Sequence, residues 1–250
     1  MVAKTRRDVE GMRRAGRATA CLLRDLRKQA TPGTTTGALN EFAVAYIRRM
    51  GGEPIFHTQN GFPAAINTSV NDEAVHGVPG GRVLRDGDLL KIDCGIGLDG
   101  YCGDSTVTII VGDQSTASAE RRTVLAVAEE ALRNGIDAVR VGNRIGDVGA
   151  AVETSVERAG LHVLPQFTGH GIGRRLWEEP SVPNVPLANR GPRIVDGLIL
   201  TIEPVITAGV PRVQLGADGW TARSIDGAPV AQFEHTVMAT KHGPCILTRC

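Results

Sequence analysis

LLKIDCGIGLDGYCGDSTVTIIV, residues 89–111, places two β-branched or apolar runs, 89–94 and 106–111, on either side of a glycine-rich segment. Runs of this kind favour strand, and the glycines between them read as the joint of an antiparallel pair. Asp93 and Asp104 then fall near the facing ends of neighbouring strands. Along a helix or an extended strand that separation would hold two carboxylates apart, whereas across a hairpin it brings them together. A carboxylate buried in an apolar strand without a partner is costly, so a shared cation is a simple explanation of the pattern.

Three further segments carry oxygen or nitrogen ligands: FTGHGIGR with His170, LTIEP with Glu203, and QFEHTV with Glu234. Taken alone, an Asp in IDCG or a Glu in TIEP is more often a turn or capping residue. Together with Asp93 and Asp104 they make four carboxylates and one imidazole. Hard ligands of that kind suit a pair of divalent cations (Co, Mn, Fe, Ni or Zn) better than a structural zinc, and a metal pair points to hydrolysis.

The surrounding chain excludes several other classes. A length of 250 residues supports one sizeable core, and a formal charge of +1 with mixed signs gives no global case for DNA or a membrane. The first fifty residues are locally basic, which reads as a solvated helix face. No apolar run reaches membrane-spanning length, and arginines interrupt the first thirty residues too often for a signal peptide, so the expectation is a cytoplasmic protein. Five cysteines without CxxC spacing argue against a disulfide scaffold and a zinc ribbon, and predict reduced thiols. Cys94 and Cys102 read as inert buried thiols. The stretches CGIGLDG and GHGIG do not open a helix after a strand as a nucleotide fingerprint must.

Thr5-Arg-Arg-Asp8 resembles a capping box, and Met12, Ala15, Thr19, Leu22, Leu23 and Leu26 recur at helical spacing up to Thr31-Pro32-Gly33. A second helix is predicted from about Thr36 to Gly51. The later half repeats the order, with helices over about 119–134 and 144–159, then strands over 198–202, 212–215 and 232–239. The fold class is α+β: one domain, 1–250, of two pseudo-symmetric halves, about 1–115 and 116–250, with the site between them.

NTSVNDEAVHGVPG, LLKIDCGIGLDGYCGDST, TGHGIGR with EEP shortly after, LTIEP and QFEHTV resemble, in order and spacing, the signature segments of type I methionine aminopeptidases. The resemblance runs from about Arg7 to Arg249. It implies the pita-bread fold, a pseudo-two-fold antiparallel sheet flanked by helices, and removal of an initiator methionine that precedes a small residue. It further implies that Asp93 is terminal on one metal, that Asp104 and Glu234 bridge two, and that His170 and Glu203 complete the second, with Glu203 as proton acceptor. His76, in VHGVP, matches the histidine that contacts the substrate backbone. The methionine pocket is expected to include Phe56, Gln59, Phe62, Asn67 and Trp220. Partners implied are peptide and nascent-protein N-termini, with transient ribosome contact, for a monomer. No extension precedes the first helix, as expected of a bare catalytic domain.

The chain departs from that pattern at two places. Trp177 stands where the family has a histidine before EEP, and Gln59 stands where it usually has a tyrosine. Indole offers an N–H donor but no acid–base capacity, so a slower enzyme or altered substrate choice is expected. Two other functions compete: a proline-directed aminopeptidase of the same fold, and a non-catalytic relative that binds proteins or ribosomes.

Overall fold

The computed structural model describes residues 1–187 and 189–250. Thr5 and Asp8 close the capping box that their spacing predicts, and α1 runs over Arg6–Gln29 with the Met12–Leu26 stripe buried. α2 (Thr36–Arg49) follows, then a short α3 (Ile55–Asn60) that no periodicity announced. The first strands are β1 (Glu53–Pro54), β2 (Ile66–Val70), β3 (Glu73–Val75), β4 (Leu89–Leu98) and β5 (Tyr101–Ile110).

β4 and β5 pair antiparallel as predicted, but they run straight through the glycine-rich segment, leaving Asp99 and Gly100 at the turn. The glycines serve close packing rather than a loop. A side chain at Gly103 would meet the backbone of Ala15 in α1, and one at Gly95 would meet Ile55 of α3. The register sets Asp93 opposite Thr106 and Gly95 opposite Asp104. One face of β4, through Leu90, Ile92, Cys94 and Ile96, packs into a core shared with α1 and α2. The alternate face carries Lys91 and Asp93.

The second helical pair is α4 (Ala119–Asp137) and α5 (Ile145–Arg158). α4 continues through Gly135, where the sequence suggests an end; the glycine serves close packing, since a side chain there would meet Val152 and Ile202. Among the described residues ten strands follow: β6 (His162–Val163), β7 (Thr168–Gly171), β8 (Glu178–Pro183), β9 (Ile199–Ile202), β10 (Val205–Thr207), β11 (Val213–Leu215), β12 (Ala222–Ser224), β13 (Val230–Gln232), β14 (His235–Thr240) and β15 (Gly243–Ile246). The strand predicted over 232–239 is in fact β13 and β14, separated at Phe233–Glu234. Among the described residues, β15-β14-β9-β7-β8 form the largest sheet. Glu234 N–H donates to the Thr106 carbonyl at 2.9 Å, which ties β5 to the junction before β14.

Cys21 and Cys250 form a disulfide, correcting the expectation of reduced thiols throughout. The C-terminal segment returns along α1 and brings together two cysteines 229 residues apart, a proximity that spacing cannot reveal. Cys94 and Cys102 are buried free thiols as expected. No described helix is long and apolar enough to cross a membrane.

Candidate metal centre

Four chain segments bring carboxylates and one imidazole to a cleft of about 570 Å³. Asp93 and Asp104 come from the β4–β5 pair, His170 from β7, Glu203 from the end of β9, and Glu234 from the β13–β14 junction. One ligand atom each from Asp104, His170 and Glu234 lie within 4.8 Å of one another. His170 Nε2 stands 3.6 Å from Glu203 Oε1 and 3.9 Å from Asp104 Oδ2. Groups bound at about 2.1 Å to one cation stand roughly 3–3.5 Å apart, so these separations are close to a coordination shell.

Each of three carboxylates is aimed by one donor. Asn67 Nδ2 donates to Asp93 Oδ2 at 2.7 Å, Thr106 Oγ1 to Glu234 Oε2 at 2.8 Å, and Thr201 Oγ1 to Glu203 Oε1 at 2.8 Å. Asp93 Oδ1, Asp104 Oδ1 and Glu234 Oε1 are buried with no protein partner. Orphaned carboxylate oxygens converging on one space fit a divalent cation, since leaving them unpaired carries a large desolvation cost.

The electrostatics agree. Burial raises the Asp93 carboxyl to about 6 and Glu203 to about 8, the latter also repelled by Asp93. Burial, followed by repulsion from Asp93 and Glu203 and, for Glu234, from Asp104, pushes Asp104 and Glu234 well above the carboxylate range. Burial lowers His170 to about 4. His170 Nδ1 lies 2.9 Å from the Gly171 carbonyl, which can only accept, so Nδ1 carries the proton and the Nε2 lone pair faces the acids.

Phe56, Phe62, Asn67, His76 and Trp177 also line the cleft. His76 sits at φ 57, its ring edge-on to Phe167. Desolvation lowers its pKa. Trp177 is 54% exposed at the rim, its ring edge-on to His170 with centroids 6.5 Å apart. Two residues expected in the pocket lie outside its lining. Gln59 instead accepts from the Leu176 N–H at 2.8 Å and donates toward Cys102 Sγ, bracing the segment that carries Trp177. Trp220 packs edge-on against Phe62, which does line the cleft, with ring centroids 5.3 Å apart.

Sequence reading missed Thr106 and Thr201. Each lies two residues from a ligand along its strand, on the same face, and that spacing was the available signal.

Residues 10–241 match metallopeptidase family M24. Over 249 residues the chain is 41% identical to methionine aminopeptidase 1 of Bacillus subtilis (strain 168), covering 100% of this chain and 99% of that protein. The chain belongs to metallopeptidase family M24, among its methionine aminopeptidases. Solved methionine aminopeptidases of Rickettsia prowazekii and Thermotoga maritima each superpose with a TM-score of 0.95, at 35% and 36% identity, with full coverage of both chains. The M24 architecture of these relatives is the pita-bread fold expected from the sequence.

Proposed function

We propose that this chain removes the N-terminal methionine from peptides and nascent proteins whose second residue is small. The observation that carries the reading is the convergence of four carboxylates, two of them buried and two half-buried, and a neutral imidazole on one cleft whose wall includes Phe56 and Phe62. Asp93, Asp104, His170, Glu203 and Glu234 would hold two divalent ions among Co, Mn, Fe, Ni and Zn. The chemistry supplied by such ions is acidification of water and polarisation of the scissile carbonyl.

The chain's own residues do the rest. Phe56 and Phe62 receive an unbranched apolar side chain, and their burial excludes water from it. His76 contacts the substrate backbone from the opposite wall. Glu203 accepts the proton released in hydrolysis at the oxygen that Thr201 leaves free. Trp177 offers a single N–H where the family has a histidine, so turnover is slower or the tolerated second residue differs. The halves about 1–115 and 116–250 form the pseudo-two-fold pair that places the site at their junction. We place the protein in the cytoplasm as a monomer with transient access to nascent chains at the ribosome.

The deciding experiment measures bound metal and turnover together, on Met-Ala-Ser and on an Xaa-Pro peptide. Metal binding with release of methionine from Met-Ala-Ser is expected. Preference for the Xaa-Pro peptide transfers the chain to proline-directed chemistry, and no turnover with any divalent metal makes it a binding protein.

A further inference from the structure

One buried charge has no part in that chemistry. Lys91 is 1% exposed, on the same face of β4 as Asp93, and burial lowers its pKa to about 7. An aliphatic side chain of similar volume would fill the space without desolvating an amine. The amine finds two backbone acceptors from distant parts of the chain: the Asn71 carbonyl at 2.8 Å and the Val230 carbonyl at 2.7 Å. Val230 N–H also donates to the Asn71 carbonyl, at 3.1 Å, so the three groups form one knot.

The knot closes a row of stitches. Along β4 and β5, Lys91, Thr108 and Thr106 share the inner face, because Lys91 pairs with Thr108 and Asp93 with Thr106. Each reaches the same outgoing segment at two-residue intervals. Lys91 holds Val230, the Thr108 hydroxyl bonds the Gln232 carbonyl and accepts from its N–H, and Thr106 holds Glu234. Lys91 is therefore the far anchor of the row whose near end is a metal ligand. Its second acceptor, Asn71, opens the turn into β3 (Glu73–Val75), and His76 is the next residue.

We propose that Lys91 is a positioning residue: by pinning the Asn71 turn and the Val230 end of the 230–234 segment to β4, it sets the placement of Glu234 and His76 against Asp93 and Asp104. The proposal rests on the metal-hydrolase reading of the cleft. Lys91 touches no ligand oxygen, and its effect passes through the backbone it holds.

The test titrates Mn(II) into chelator-stripped parent and Lys91→Met by calorimetry, with Leu26→Ala as a control that loses core packing on the helix side of the sheet. Lys91→Met is expected to bind Mn(II) at least tenfold more weakly, while Leu26→Ala, though lower in Tm, stays within twofold of the parent. A folded Lys91→Met with parental affinity overturns the proposal alone. A parent that binds no divalent metal overturns the metal reading and the proposal with it. Should Lys91→Met not fold, amide exchange on the parent decides: Mn(II) should slow exchange at Asn71–Val75 together with Val230–Gln232, and protection at Val230–Gln232 without Asn71–Val75 overturns the coupling.

Discussion

Asp93 and Glu203 hold their protons more tightly than free carboxyls because burial penalises their charged forms, with Asp93 also repelling Glu203; they reach about 6 and about 8. An unfolded chain gives up the same protons near pH 4. Between those values the metal-free folded state binds more protons than the unfolded one, so its stability falls as pH rises through the folded pKa values. A divalent cation removes that penalty by replacing the protons. The gain in Tm on adding Mn(II) to stripped enzyme should therefore be larger at about pH 8 than at about pH 5.5, and a larger gain at the lower pH would contradict the site as drawn. Trp177 makes a second prediction at this scale. Trp177→His restores a group that can both donate and exchange a proton, and kcat on Met-Ala-Ser should rise roughly tenfold or more, given that one lost oxyanion donor commonly costs about 10²–10³. An unchanged kcat would reduce Trp177 to a rim residue that shields His170. Asn67, Thr106 and Thr201 show why residue type alone underreports a site: each is an ordinary strand residue until its neighbour is a carboxylate to be aimed.

Elements were legible where local chemistry decides them. The Thr5–Asp8 box starts α1, and Thr5→Ala should lower stability by about 1 kcal/mol in denaturant unfolding, since it leaves the Asp8 N–H uncapped. They were misread where packing overrides local preference. Gly135 looks like a helix stop, yet α4 passes through it, and the position has no room for a side chain: a Cβ there would lie 2.8 Å from Val152 Cγ2 and 3.0 Å from Ile202 Cγ2. Propensity alone favours Gly135→Ala by about 1 kcal/mol, but overpacking of this kind costs about 1–3 kcal/mol. The substitution should therefore not stabilise the protein, and a rise in Tm would show that α5 and β9 yield easily. The glycines of the β4–β5 pair follow the same physics: Gly95 and Gly103 resemble a loop in sequence but are strand positions where α3 and α1 approach too closely for a side chain.

The whole molecule is joined by contacts between residues far apart in sequence. Backbone pairing of Thr106 with Glu234 connects two sheets, and the Cys21–Cys250 disulfide ties the C-terminal segment to α1. Cross-links of long loops are worth about 2–4 kcal/mol, so oxidised parent should exceed Cys21→Ser by that order in denaturant unfolding. Equal stabilities would show that burial of Leu247 and Thr248 already holds the segment. The sequence by itself determined α1 with its capping box, α2, α4 and α5, the β4–β5 hairpin, the five metal-ligand candidates and the family, because each of these depends on local spacing or on motifs long enough to be specific. Only the tertiary structure decided which cysteines meet, why Gln59 and Trp220 stand behind the cleft wall, which threonines aim the carboxylates, and that Lys91 reaches across to Val230. Those features depend on distances between segments whose separation along the chain carries no record of their contact. The carboxylates were visible in the sequence as residues; their convergence on one cleft, which makes them candidate ligands of one metal centre, required the fold.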